Sequence, residues 1–154
     1  MKYVYIAIGI LLAAVLAFAV AKKVSPVSWD WWGDINTTSG VALDGHDPVA
    51  YFDVGAPVAG KAEFSLEWGG ANWQFSNAAN RDAFAADPER YAPQFGGFCS
   101  FAVSKGFTAA ASPEAWHVAG DKLYVFADEN VRDDWVDQLD DGSLEASENN
   151  WARR

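Results

Sequence analysis

Cysteine, methionine and histidine are nearly missing from this chain. Its 154 residues include one cysteine, Cys99, one methionine, Met1, and two histidines, His46 and His117. A lone cysteine makes no intramolecular disulfide, so the fold must rest on packing. The same scarcity removes the usual spacings of metal and catalytic centres. There is no Cys-x-x-Cys, His-x-x-x-His, H-E-x-x-H, G-x-S-x-G or glycine-rich phosphate loop. Nothing in the motifs announces an enzyme. Basic residues are also scarce, 11 against 21 acidic ones, and the formal charge of -10 leaves no basic stripe for a nucleic-acid backbone. Nucleic acid is therefore excluded as a partner.

Apolar and aromatic side chains are plentiful, at 51% and 15% of the chain, enough for one domain with a real core. An uncharged run from Tyr3 to Ala21 lies between Lys2 and Lys22-Lys23 and is close to the length that spans a bilayer core. Residues 1–21 are expected to be a transmembrane anchor or a signal peptide, since Ala19-Val20-Ala21 also has the small-x-small form of a cleavage site. An acidic domain following such a segment can be translocated whatever its charge. The expectation is a domain outside the cytoplasm, either anchored to the cell membrane or, after cleavage, secreted or periplasmic. Residues 22–40 read as a linker with a tryptophan cluster, Trp29, Trp31 and Trp32, destined for the headgroup region or for packing on the domain.

From Val41 onward the pattern predicts an α+β fold, a small single domain of antiparallel hairpins packed with short helices, besides the N-terminal hydrophobic helix. DPVAYFDV (Asp47 to Val54) carries β-formers, and KAEFSLEW (Lys61 to Trp68) alternates apolar and polar residues as a half-buried strand does. Gly69-Gly70 predicts a hairpin turn into a second strand with Trp73 and Phe75. Ser76 or Asn77 caps a short helix, Asp87-Pro88 starts another, and Ser112-Pro113-Glu114 repeats that start signal. A second hairpin turns at Gly120-Asp121, and Val131, Trp135 and Leu139 share one face of a closing helix. Residues 140–154 read as a loosely held acidic tail, apart from Trp151.

GHDPVAYF (Gly45 to Phe52), the long block from Trp73 to Gly106 with its F-S-x-x-x-N-R-x-x-F-x-x-D-P-x-x-Y and P-Q-F-G-G-F-C patterns, and AWHVAGDKLYVF (Ala115 to Phe126) together resemble the YHS domain family. The match is to its small secreted or membrane-anchored bacterial branch and covers residues 41–139. The resemblance implies a small α+β module of the kind proposed to bind metal in copper-transporting ATPases. The metal-associated relatives carry a cysteine pair around the start of the helix after the second strand. Ser76 and Asn80 occupy those positions here.

Three readings of Cys99 follow. As a metal ligand it would join His46 and His117 around copper or zinc, with a carboxylate from Asp44, Asp47 or Asp121, and with Tyr51 and Phe98 as walls. As a nucleophile it would need one of those imidazoles to lower its pKa. As packing it would be a small hydrophobe between Phe98 and Phe101. The functional expectation is an extracytoplasmic binding or accessory module for a metal or small ligand; the alternative is a domain that contacts an envelope protein without metal. In either case the N-terminal segment makes the membrane a partner.

Overall fold

The computed structural model describes residues 2–154, with side chains from Val4 onward. Helix α1, Lys2–Ala21, stands apart from the domain core. At 1.5 Å per residue its 20 residues extend about 30 Å. The window Val4–Ala21 has a mean hydropathy of 2.7 and none of it is buried in the protein, so α1 is long and apolar enough for a membrane anchor or a signal sequence.

The rest is an α+β domain with three small sheets. Strands β2 (Thr37–Thr38), β3 (Val41–Ala42), β4 (Lys61–Trp68) and β5 (Ala71–Phe75) form one sheet in the order β2-β3-β5-β4, antiparallel except for the single parallel pairing of β3 with β5. Strands β7 (Ser112–Ala119) and β8 (Lys122–Phe126) form a hairpin, and β1 (Ser25–Pro26) pairs with β6 (Phe107–Thr108). Between and after them lie α2 (Ala50–Asp53), α3 (Ala78–Ala86), α4 (Pro88–Tyr91), α5 (Ser100–Ser104), α6 (Glu129–Asp137) and α7 (Ser143–Trp151).

Strand β8 divides the interior. Side chains alternate across a strand, and LYVF is buried on both faces. Leu123 and Val125 join Trp73, Phe75, Phe84 and Tyr51 in one core. Tyr124 and Phe126 join Phe95, Phe98, Cys99, Val103 and Trp135 in a second. Trp135, fully buried, contacts Tyr124 and Phe126 with ring centroids 5.0 and 5.2 Å away.

Both predicted hairpins form, turning at Gly69-Gly70 and Gly120-Asp121. Asn77 caps α3 by accepting from the Asn80 N–H, and Asp87 caps α4 with Pro88 in its first turn. Two local expectations are corrected. The β-formers of DPVAYFDV lie in and around a helix, because the Asp47 carboxylate accepts the Val49 N–H at 2.9 Å and starts the α2 turn. Ser112-Pro113-Glu114 begins strand β7, because pairing with the apolar β8 overrides its local start signal.

The chain on either side of residues 41–139 is built into the domain. Ser25 and Val27 are buried, and Ser25 Oγ lies 3.0 Å from Thr108 Oγ1. The acidic C-terminal stretch forms α7 and packs on α5 through polar groups. Ser147 Oγ donates to Ser143 O at 2.8 Å and contacts Ser100 O at 3.3 Å; Asn150 Nδ2 donates to Val103 O at 2.9 Å and Ser104 O at 3.1 Å. Val103 and Ser104 end the short helix α5, where carbonyls lack intrahelical donors. An acidic, weakly amphipathic sequence is thus held by the backbone groups it satisfies.

Candidate functional site

Phe95, Gly96 and Gly97 all have left-handed backbone, with φ of 54°, 60° and 75°. Glycine adopts that conformation freely. The resulting bend aims two carbonyls at one residue: Asn36 N–H donates to Gly96 O at 2.8 Å and Asn36 Nδ2 donates to Gly97 O at 3.0 Å. A Cβ on Gly96 would lie 1.9 Å from the Asp34 carbonyl oxygen. Gly69 likewise makes room for Ile35, whose Cδ1 would lie 2.6 Å from an added Cβ. The two Gly-Gly pairs therefore receive a strap, residues 34–37, from the segment before the first sheet.

Immediately after that bend, Cys99 is the N-cap of α5 and only 2% exposed. Burial pushes its thiol above the ordinary value of 9.0, outweighing the backbone N–H groups of Ala102, Ala127 and Phe101 that favour the thiolate. The histidines lie elsewhere. His46 sits at an isolated bridge to Ala59, with Nε2 3.8 Å from Glu114 Oε1 and Nδ1 enclosed without a partner. His117 lies on β7 opposite Tyr124, and burial followed by the charge of Arg132 lowers its pKa below 6.5. Among the described residues, no three His, Cys, Asp or Glu side chains are placed to hold one ion. Cys99, His46 and His117, alone or with Asp44 or Asp121, therefore form no such group among the described residues.

The fourth carboxylate considered, Asp47, has its own cluster. It is fully buried, and one oxygen accepts from Ser76 N at 2.8 Å, Ser76 Oγ at 2.7 Å and Asn80 Nδ2 at 2.7 Å, while the other accepts from Val49 N. Ser76 and Asn80 are thus both engaged with this carboxyl group, as a buried polar group requires. Nearby, Tyr51 donates its hydroxyl to Pro113 O at 3.0 Å and meets Trp116 edge-on. Burial and the charges of Glu114 and Asp47 hold the Tyr51 phenol far above its ordinary range.

A cleft of 340 Å³ opens where the strap crosses the β4–β5 turn, lined by Asp34, Ile35, Trp68, Trp73, Pro93 and Trp151. Trp73 Nε1 is already committed to Trp68 O at 3.0 Å. The cleft thus offers indole surface with a carboxylate at its edge. Only its tryptophans were individually visible in the sequence; the strap that closes it was not, because residues 34–37 carry no periodic signal.

Compared with family models, curated proteins and solved structures, the chain matches none.

Proposed function

We infer that this chain is a membrane-tethered accessory module of the YHS type, with its domain outside the cytoplasm, that acts by binding a partner and uses Cys99 as packing. The surroundings of Cys99 carry the reading. A thiol whose pKa burial raises, and which belongs to no group of three ligand-type side chains among the described residues, lacks the thiolate character that ligands and nucleophiles need. The motif residues from Gly45 to Phe126 support the family assignment, and the engagement of Ser76 and Asn80 with Asp47 favours the branch without a cysteine pair.

The surface left for a partner is the tryptophan cleft, on a chain whose net charge is -10. Such a surface favours a partner that presents an apolar side chain amid basic groups. The apolar helix α1 supports the tether, and the translocation of acidic domains behind such segments supports the outside location.

Metal analysis of the full chain, purified without chelator and titrated with Zn²⁺, Cu⁺ and Cu²⁺ beside Cys99→Ser, tests the reading. No stoichiometric uptake is expected in either protein. Uptake at one ion per chain that disappears in Cys99→Ser would overturn it. Protease added to spheroplasts should digest the domain as it does in lysed cells; complete protection in spheroplasts alone would overturn the location.

A further inference from the structure

The tryptophan cluster of residues 29–32 is split by the fold. Trp32 packs against the second core, whereas Trp29 and Trp31 remain 54% and 60% exposed with ring centroids 4.5 Å apart. Outside α1, the large apolar side chains that stay exposed among the described residues are Trp29, Trp31, Phe107 and Val54. The first three lie at the junction with α1. Phe107 is paired with Pro26 in the β1–β6 ladder, and Val27 N–H donates to Gly106 O at 3.0 Å just before the turn that presents Trp29.

The domain is seated directly on the end of α1. Lys22 O accepts from Ala110 N at 2.8 Å, Thr108 Oγ1 donates to Lys23 O at 3.0 Å, and a crevice between domain and helix reaches down to Phe18. From Ala21 to Pro26 the backbone extends at most about 17 Å. A bilayer holding α1 would therefore bring its headgroup layer close to Pro26 and Phe107. Indole rings favour that layer, where an apolar ring and a polar N–H are both accommodated. The acidic residue between the two exposed indoles is already neutralised: Asp30 is paired with the Arg154 guanidinium, which also lies 4.2 Å from the Trp151 ring centroid.

We propose that Trp29, Trp31 and Phe107 form a second membrane contact, a shallow interfacial foot that lays the domain against the bilayer entered by α1. The proposal rests on the tethered reading above. Its lipid is neutral or zwitterionic, because the chain's charge of -10 repels anionic headgroups.

The test uses the full chain in zwitterionic phosphatidylcholine vesicles, with Trp29→Phe/Trp31→Phe as reference. Subtracting the two emission spectra isolates the exposed pair from the other indoles. The difference emission should be quenched by phosphatidylcholine brominated close to the glycerol and protected from aqueous acrylamide. Replacing Trp29 and Trp31 by serine, with unchanged circular dichroism, should increase protease cleavage of the domain surface without releasing the chain from vesicles. Release of the wild-type chain by an alkaline wash would mean that the tether itself fails. A chain that stays bound, but whose difference emission yields to acrylamide and ignores the brominated lipid, would overturn the foot. So would emission protected from both quenchers and dependent on protein density, since a second copy would then cover the patch.

Discussion

The carboxylate of Asp47 and the side-chain amide of Asn80, 33 residues apart, meet at 2.7 Å in a buried cluster that holds α2, β5 and α3 together. Asp47→Ala strands the Ser76 and Asn80 donors and the Val49 N–H at once. Hydrogen bonds to charged groups contribute about 1.5–3 kcal/mol each and are not additive, so a loss of about 3–5 kcal/mol is expected. Urea denaturation of wild type and variant measures it; a change below about 1 kcal/mol would contradict the role of the cluster.

Gly96→Ala should release the strap. The added methyl collides with the Asp34 carbonyl and also meets a φ of +60°, so clash adds to backbone strain. Gly55→Ala is the control: its φ is +69° but nothing lies within 4 Å. The control should cost about 1 kcal/mol, from strain alone. Gly96→Ala should cost at least twice as much and expose residues 34–37 to limited proteolysis. Equal costs would mean that strap and bend are not in contact.

Cys99 should resist a water-soluble disulfide reagent at pH 8 in the native state and react fully in urea. Cys99→Ser should change stability by only about 1 kcal/mol, because serine is a favoured N-cap and the N–H groups of Phe101 and Ala102 face that position. Rapid native labelling would remove Cys99 from the core.

Stability should fall at both ends of the pH range. The raised pKa values of Cys99, Tyr51 and Tyr124 mean that the unfolded chain releases those protons first, so stability declines as pH rises above about 9. Tyr51→Phe should lose about 1 kcal/mol at neutral pH, with the Pro113 carbonyl left without its donor, and should show a shallower alkaline decline. His117 acts in the opposite direction. Its depressed pKa makes the unfolded chain take up the proton first as pH drops below about 6.5, so its contribution is lost on acidification. His117→Gln should flatten that acid limb, and an unchanged limb would remove His117 from it.

Local signals carried much of the fold. The β4–β5 and β7–β8 hairpins follow from alternation around glycine turns, and the starts of α3 and α4 follow from Asn77 and Asp87, because those interactions close within a few residues. The strap and α7 were not legible for the same physical reason. Asn36 finds its partners at Gly96 and Gly97, and Asn150 finds its partners at Val103 and Ser104, by hydrogen bonds that leave no apolar period. At the candidate site, the sequence marked Asp47 only as a possible ligand. Its distant donors, Ser76 just after β5 and Asn80 on α3, are brought near only by the folded chain.

Lys23 adopts a left-handed turn, with φ of 52°, at the end of α1, and donates its ammonium to Asn36 Oδ1 at 2.6 Å and to the Thr37 carbonyl. Asn36 in turn is bonded to Gly97, so helix, strap and the FGGFC bend are one mechanical unit. The domain is thus joined to the end of α1 by side-chain and backbone hydrogen bonds as well as by the chain itself. On the tethered reading proposed above, whichever side of α1 meets a neighbouring helix in the bilayer also fixes the compass bearing of the tryptophan cleft.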